Sequence, residues 1–362
     1  MAIRPVLIMA GGTGGHVYPA LAIADYLRTR GMSLCWLGTS NGLESRVVPQ
    51  NNIELLTIKI SGLRGKHIFR WLFAPFTILA AIVSSLKIMI NLKPSMVIGL
   101  GGFVSGPGGI AAWILRIPLL IHEQNSIAGL TNRLLSPFAK TVMQAFPYTF
   151  NGKNVVTTGN PVRVEIIKRA IEEENNKRIG SQKSLRLLIL GGSLGAKALN
   201  EIIPQVLGSL SKEINVNIIH QTGTAHIEST VKIYHSTDLK PYKVEPYIED
   251  MAQAYAWADL VICRSGALTV SEVSVMGLPS IFIPYPYAVD DHQTMNARYL
   301  TDAGGGVLLP QTELNKQRLA ELITYFHDNR DALVEMSNIA KRKASPDATE
   351  TIGNLCLGVL NA

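Results

Sequence analysis

The sequence predicts an α/β protein built as two doubly wound domains on parallel sheets. Two observations carry this. Short runs rich in Val, Ile and Leu alternate along the 362 residues with helix-length segments, the grammar of strands covered on both faces by crossover helices. The same opening also occurs twice, half a chain apart, as LIMAGGTGG at Leu7–Gly15 and LILGGSLGA at Leu188–Ala196. Each reads as the first strand, glycine turn and helix of its own domain.

Taken in order, Pro5–Ala10 reads as a buried strand, Gly11–Gly15 as a tight turn and Pro19–Arg30 as a helix. Pro118–Ile121 is a further buried strand, delivering His122-Glu123-Gln124-Asn125 to its carboxyl end. Leu185–Leu190, Gly191–Gly195 and Ala196–Leu210 repeat the strand, turn and helix, and Leu260–Ile262 is the strand before Cys263-Arg264-Ser265-Gly266. The stretch Ile166–Ser184 is polar and charge-rich, so the linker belongs there or just before it, at Gly159–Arg163. The expected domains are 1–162 and 163–345, followed by a helical tail at 346–362. One large sheet carrying two unrelated glycine turns is the alternative.

A chain of this length buries sizeable cores without staples, which excludes disordered, collagen-like and mini-protein classes. Only 17% of residues are charged, against about 25% in an ordinary soluble protein. Apolar residues make up 47%, and the mean hydropathy is +0.19. The net charge of +7 is unevenly spread: residues 1–160 hold 14 Lys and Arg against 4 Asp and Glu, and residues 161–362 hold 20 against 23. A basic, apolar front half points to an anionic surface or ligand for that half. Cys35, Cys263 and Cys356 form neither a disulfide framework nor a C-x-x-C pair, so a reducing compartment is expected. The first residues run straight into a strand, and no export signal is expected. Trp71–Leu86 is uncharged over 16 residues but contains Pro75 and ends at Lys87. A spanning helix needs about 20 apolar residues, so none is expected.

The first loop, Gly11-Gly12-Thr13-Gly14-Gly15-His16, presents backbone N–H groups where a strand feeds a helix, a place suited to phosphate or another anionic oxygen. Val17 stands where a dinucleotide fingerprint needs Gly or Ala, and no Gly-Lys follows for a Walker A loop, so a nicotinamide oxidoreductase is disfavoured. A turn that serves strand-to-helix packing alone is the other reading. His16, at the rim, suits a general base because a free imidazole titrates near neutrality; a capping histidine is the alternative. Ser126 replaces the second histidine of H-E-x-x-H, so HEQN is a crevice motif and not a metal site. At Cys263–Glu272, small residues turn the chain into a helix whose N–H groups can grip a diphosphate, with Arg264 adding charge and Glu272 accepting from both hydroxyls of a ribose. The plain alternative is an N-cap by Ser265 with Glu272 solvated. In Asp290-Asp291-His292-Gln293 polar sugar contacts are expected, chiefly from Gln293. Gly99–Gly109 is either a loop approached by ligand or a site of close helix packing. Finally, Arg64, Lys66, Arg70, Lys87 and Lys93 flank Phe69, Trp71, Phe73 and Phe76 in a segment apolar nearly all round. With the front half so basic, one side entering an anionic leaflet is favoured over a core helix.

The runs GGTGGHVYPALA, ISGLRGK, GGFVSGPGG, HEQNSIAGLTN, MQAFP, GNPVR, GGSLGA and AYAWADLVICRSGALTVSE follow one another over the whole chain. Together they resemble the MurG family, peripheral inner-membrane glycosyltransferases of peptidoglycan synthesis in the GT-B superfamily. The resemblance implies two Rossmann-like domains facing an interdomain cleft, the front one for a lipid acceptor and the back one for a sugar nucleotide. It implies transfer of N-acetylglucosamine from UDP-GlcNAc to the C4 hydroxyl of undecaprenyl-diphosphate-MurNAc-pentapeptide (lipid I), giving lipid II with inversion, at the cytoplasmic face of the inner membrane. Carried over by motif, UDP-GlcNAc contacts fall on Thr13, Gly14, Gly15, Asn125, Arg163, Ser193 and Ile248, the last holding uracil through its backbone. They continue on Ala267, Leu268, Thr269, Val270, Ser271 and Glu272, with Glu272 on the ribose, and on Gln293. Arg264, Ser265 and Gly266 join them from the loop reading. Leu194 replaces the usual glutamine of the second glycine loop, so no side-chain hydrogen bond is implied there. His16 is the expected base and Glu123 the reserve. Neither a metal nor a cofactor is expected, nucleic acid is not a partner, and the implied partners are both substrates, an anionic membrane and cell-wall synthesis proteins. Another GT-B lipid glycosyltransferase, a UDP-GlcNAc 2-epimerase and a non-catalytic membrane adaptor that senses UDP-sugars are the competing readings.

Overall fold

The computed structural model of the chain describes residues 4–60, 68–174, 184–192, 194–237, 239 and 243–361, with 68–73, 173, 174 and 361 as backbone. They form two compact units, Met1–Val162 with Pro346–Ala362, and Arg163–Ser345. The crossing at Val162–Arg163 falls within GNPVR, and the polar stretch after it begins as a helix of the second unit.

The first unit opens with β1 (Val6–Met9), α1 (Gly14–Thr29), β2 (Leu34–Gly38), α2 (Glu44–Gln50) and β3 (Glu54–Thr57). It continues through α3 (Ile68–Leu92), β4 (Met96–Gly99), α4 (Ser105–Ile114), β5 (Leu119–Glu123), α5 (Leu130–Leu135), β6 (Thr141–Gln144) and β7 (Val155–Thr157). All seven strands are parallel, in the order β3-β2-β1-β4-β5-β6-β7. Side chains alternate across a strand, and here both faces are covered. Val6 and Ile8 pack with Val17, Ala24 and Leu27 of α1, whereas Leu7 and Met9 pack with Ala81 and Met89 of α3 and Ala111 of α4. That is why β1 reads as an unbroken apolar run.

Two expectations need correction here. Helix α1 starts at Gly14, not Pro19, so Thr13 is its N-cap and His16 lies in its first turn. Pro19 is the sixth residue of the helix and forgoes a bond to the Gly15 carbonyl, a cost outweighed by packing of Val17, Ala20 and Leu21 in the core. Strand β5 runs on through Glu123, because His122 and Glu123 pair with Met143 and Gln144 of β6. In α3, residues 74–92 are long and apolar enough to cross a membrane by length and composition, since one lysine does not end the run. Yet the helix lies along α4 and sends Ala81, Ser85 and Met89 inward, leaving Phe76, Ile78, Leu79, Val83 and Ile90 exposed.

The second unit runs α6 (Val164–Glu174), β8 (Leu185–Leu190), α7 (Lys197–Leu210), β9 (Val216–Gln221), α8 (Ile227–Ser236), β10 (Lys243–Glu245) and α9 (Met251–Trp257). Then come β11 (Leu260–Cys263), α10 (Ala267–Met276), β12 (Ser280–Phe282), α11 (His292–Thr301), β13 (Val307–Leu308), α12 (Lys316–Asp328) and α13 (Arg330–Lys343). Its six parallel strands lie in the order β10-β9-β8-β11-β12-β13. Leu185, Leu187 and Ile189 of β8 pack with Leu199 and Ile203 of α7 and Leu319 and Ile323 of α12. The chain closes with α14 (Ala348–Asn361), which returns to the first unit and puts Ile352 and Cys356 into the core beside α1. The tail brings Asp347 and Glu350 with it, so the first unit carries +8 and not +10.

Candidate active site

In each sheet the chain reverses direction of growth once, between β1 and β4 in the first unit and between β8 and β11 in the second. Loops leaving the carboxyl ends of such strand pairs frame the ligand crevice of open α/β sheets. They are the glycine loops singled out from the sequence.

In the first unit, the loop after β1 meets the loop after β4. A Cβ on Gly102 would stand 2.3 Å from the Gly11 carbonyl oxygen, so only glycine allows this approach. Gly101 lies against the His16 ring, where its Cβ would be 3.0 Å from Nε2. His16 Nδ1 is 3.3 Å from Thr13 Oγ1, and its backbone N–H donates to the Thr13 carbonyl. The ring therefore lies between Thr13 and Gly101.

The neighbouring HEQN motif is a different matter. Glu123 is buried, and its Oε1 accepts from the Asn125 N–H and Nδ2 at 3.0 and 3.2 Å, while Oε2 accepts from the Gly129 N–H and Asn132 Nδ2, both at 3.0 Å. A carboxylate with both oxygens so occupied shapes the loop and has no lone pair directed at a substrate. The structure thus removes Glu123 as the reserve base. Asn125 is held by it. His122 is fully buried, 3.0 Å from the Gly159 carbonyl, and burial lowers its pKa, so it stays neutral. Asn160 Nδ2 donates to the Gln124 carbonyl at 3.0 Å, tying GNPVR to the same loop.

In the second unit, α10 starts after Gly266, and no side chain caps it. The Ser265 N-cap is thereby corrected: Ser265 is fully buried, its Oγ has no partner among the described residues, and its carbonyl accepts from Asn296. Glu272 is not solvated. Arg163 places Nε and Nη2 on its Oε1, both at 3.0 Å, and the buried Tyr255 hydroxyl donates to Oε2 at 3.0 Å. Burial pushes the carboxyl pKa up, and the Arg163 charge and the Tyr255 hydrogen bond offset only part of that rise. The same ion pair raises Arg163 against the opposing effect of its own burial.

Arg264 departs from its expected place on a diphosphate. Its Nη1 donates to the Ile283 and Pro284 carbonyls at 2.9 and 3.0 Å, and Nη2 to Gln311 Oε1 at 2.6 Å. It fastens the end of β12. Tyr285, stacked on that guanidinium at 5.6 Å, donates its N–H to Gln293 Oε1, so Gln293 orders the same wall. Ile248 N–H is taken by Gln221 Oε1 at 3.2 Å, and Gln221 Nε2 reaches the Gly192 carbonyl at 3.1 Å. Gln221 and Tyr255, the latter inside the AYAWADLVICRSGALTVSE run but not singled out there, hold Ile248 and Glu272 in place. Leu194 is exposed, Ala267 to Ser271 form the first turns of α10, and Ser193 lies outside the described residues. Among the described residues, no group of three or more His, Cys, Asp or Glu side chains is placed to hold a metal ion.

Two parallel-sheet units, each with a glycine turn behind its first strand, give the GT-B architecture, and two family models place the chain among the glycosyltransferases. The glycosyltransferase family 28 N-terminal domain matches residues 6–144, and the family 28 C-terminal domain matches residues 186–352. A Shewanella frigidimarina protein named UDP-N-acetylglucosamine--N-acetylmuramyl-(pentapeptide) pyrophosphoryl-undecaprenol N-acetylglucosamine transferase is 47% identical over 355 residues, covering 97% of this chain and 95% of that protein. One of the same name from Pseudomonas putida is 47% identical over 357 residues, 98% of each. The crystal structure of Acinetobacter baumannii MurG superposes with a TM-score of 0.83 at 44% identity, over 97% of this chain and 98% of that one. A UDP-GlcNAc 2-epimerase from Neisseria meningitidis shares the fold, with a TM-score of 0.67 at 14% identity over 98% of this chain and all of that one. The chain belongs to glycosyltransferase family 28 and, within it, to the MurG family.

Proposed function

We infer that this chain transfers N-acetylglucosamine from UDP-GlcNAc to undecaprenyl-diphosphate-MurNAc-pentapeptide, the donor and acceptor in its relatives' name, and that the acceptor atom is the C4 hydroxyl and the transfer inverts. The observation that carries the reading is the buried Glu272, gripped by Arg163 and Tyr255 within the uncapped helix α10. Every UDP-sugar offers a ribose diol and a diphosphate. The lone pair that Arg163 and Tyr255 leave on Glu272 Oε2 takes one ribose hydroxyl, not both, and the amides of a helix N-terminus take the diphosphate.

In this mechanism His16 removes the proton from the acceptor hydroxyl as that oxygen bonds to the anomeric carbon. The bond from that carbon to the diphosphate breaks, and UDP leaves with the electron pair. When Thr13 Oγ1 accepts from Nδ1–H, the lone pair that a base needs is on Nε2. The charge on the departing diphosphate falls to the α10 amides, while Arg264 and Gln293 keep the surrounding wall in shape.

The first unit docks peripherally on the anionic cytoplasmic leaflet through the outer face of α3, where Phe76 is 70% and Leu79 59% exposed. Side chains of Phe69, Trp71 and Phe73, as well as Arg64 and Lys66, lie outside the described residues. On the same unit a cavity of about 680 Å3 is lined by Trp113, Ile114 and Phe138 with Arg116 and Lys140, an apolar floor with a cationic rim. Such a pairing suits lipid, each cation near an anionic surface adding about 1 kcal/mol.

The test is incubation with labelled UDP-GlcNAc and a short-chain lipid I analogue. Label appearing on the lipid, with other UDP-sugars inactive, is the expected result. Preference for another sugar would indicate a different lipid glycosyltransferase, and UDP binding without any transfer would indicate an adaptor.

A further inference from the structure

Glu44 is the first residue of α2 and is completely buried in the first unit. No motif draws attention to it. Its Oε2 accepts the Gly12 N–H at 3.0 Å, and its Oε1 accepts the Thr39 N–H at 3.0 Å and the Thr39 hydroxyl at 2.7 Å. Those donors are all neutral, yet they hold the carboxyl below the ordinary range: burial raises its pKa, and the hydrogen bonds from Thr39 and Gly12 more than reverse this.

The space for this charge is made by three glycines. A Cβ on Gly11 would lie 2.8 Å from Oε1, one on Gly38 2.7 Å from Cγ, and one on Gly42 2.1 Å from Oε2. An apolar side chain would fill the same cradle without the desolvation cost of a buried carboxylate. What only the carboxylate does is take hold of the Gly12 amide. That amide belongs to the residue before Thr13, the N-cap of α1, and Thr13 in turn contacts His16 through both its carbonyl and its hydroxyl. The loop is pinned by Glu44 from behind and by Gly101 and Gly102 from the other strand pair.

We propose that Glu44 is a positioning residue for sugar transfer, fixing the Gly12–Thr13 peptide so that His16 keeps its working geometry. The proposal rests on the transferase reading above. Displacement of about 1 Å at a reacting group costs about a hundredfold in rate.

Full-length Glu44→Gln is the first variant, since its amide must turn an NH2 toward one of the N–H donors. Transfer to the lipid I analogue is measured beside UDP affinity and the thermal midpoint. The expected result is a kcat lowered about a hundredfold while UDP, held by the second unit, binds within twofold of the wild type. Thr39→Val removes the hydroxyl's donation to Glu44 Oε1 together with its acceptance of the Gly42 N–H, and should lower kcat several-fold; Thr39→Ser, which keeps the hydroxyl, recovers most of it. This pair decides the matter should Glu44→Gln not fold. A folded Glu44→Gln or Thr39→Val with kcat within twofold of the wild type overturns the proposal, as does a loss of UDP affinity that parallels the loss of rate. A wild-type protein that transfers no sugar would instead overturn the transferase reading itself.

Discussion

His220 gives the second unit a calculable sensitivity to acid. It is fully buried on β9, with Nε2 3.0 Å from Asn200 Oδ1 and Nδ1 2.9 Å from the Tyr234 hydroxyl. Asn200 Oδ1 can only accept, so Nε2 carries the proton and Nδ1 accepts from the tyrosine. The ring is neutral, and burial lowers its pKa from 6.5 to about 3. A depressed value means that the unfolded chain binds the proton more readily. This contribution to stability is complete above pH 6.5 and is lost as pH falls toward 3. The slope over that window is about 1.4 kcal/mol per pH unit, so roughly 2.7 kcal/mol is gone at pH 4.5. Against a total of about 5–15 kcal/mol this is a large fraction. The assay is urea unfolding by circular dichroism at pH 7, 5.5 and 4.5 for the wild type and His220→Gln. The variant should start less stable but lose less with acid, the two curves converging by about 1.4 kcal/mol per unit below pH 6.5. Parallel curves would refute the reasoning. The network also reaches the second glycine loop, because Asn200 Nδ2 donates to the Thr222 carbonyl at 2.8 Å, the group against which Gly195 packs.

Three further outcomes are expected. Tyr255→Phe removes a donor from the charged form of Glu272, whose pKa is already raised by burial, so the acid limb of kcat/KM for UDP-GlcNAc should move to higher pH; a limb that stays in place speaks against Glu272 on the ribose. His16→Ala should lower kcat by about 10²–10⁴-fold with UDP affinity kept, and near-normal turnover would remove it as base. Phe76→Glu with Leu79→Glu should weaken partitioning onto anionic vesicles at least about a hundredfold, at roughly 1.5–3 kcal/mol per apolar side chain, and unchanged sedimentation would return α3 to a purely structural role.

What the sequence revealed was local. A buried strand, a glycine turn and a helix N-terminus are neighbours in the chain, so both domain openings, and His16 and Glu272 on the helices that follow such turns, are legible from residues a few places apart. Residues whose meaning depends on distant partners were misread or missed. Arg264 looked like a free cation beside a helix, but its acceptors are Ile283, Pro284 and Gln311. Glu123 looked available because Gly129 and Asn132 come back to it only once α5 has formed. Glu44 bonds a glycine 32 positions earlier, and Tyr255 meets Glu272 from another helix. The start of α1 was placed too late because glycines and a proline oppose a helix by propensity, and packing of Val17, Ala20 and Leu21 against the sheet outweighs that preference.

The return of α14 sets a timetable for biosynthesis. Gly353 packs on the ring of Tyr26, and the Tyr26 hydroxyl donates to Asn354 at 2.9 Å, so residues made after the second unit complete the first. At about 5–20 residues per second, residues 163–345 take roughly 10–40 s to emerge before that helix arrives. Through this interval the apolar groove beside α1 has no occupant from its own chain. The second unit, contiguous in sequence, has no such wait, and the nascent protein therefore completes its back half before its front.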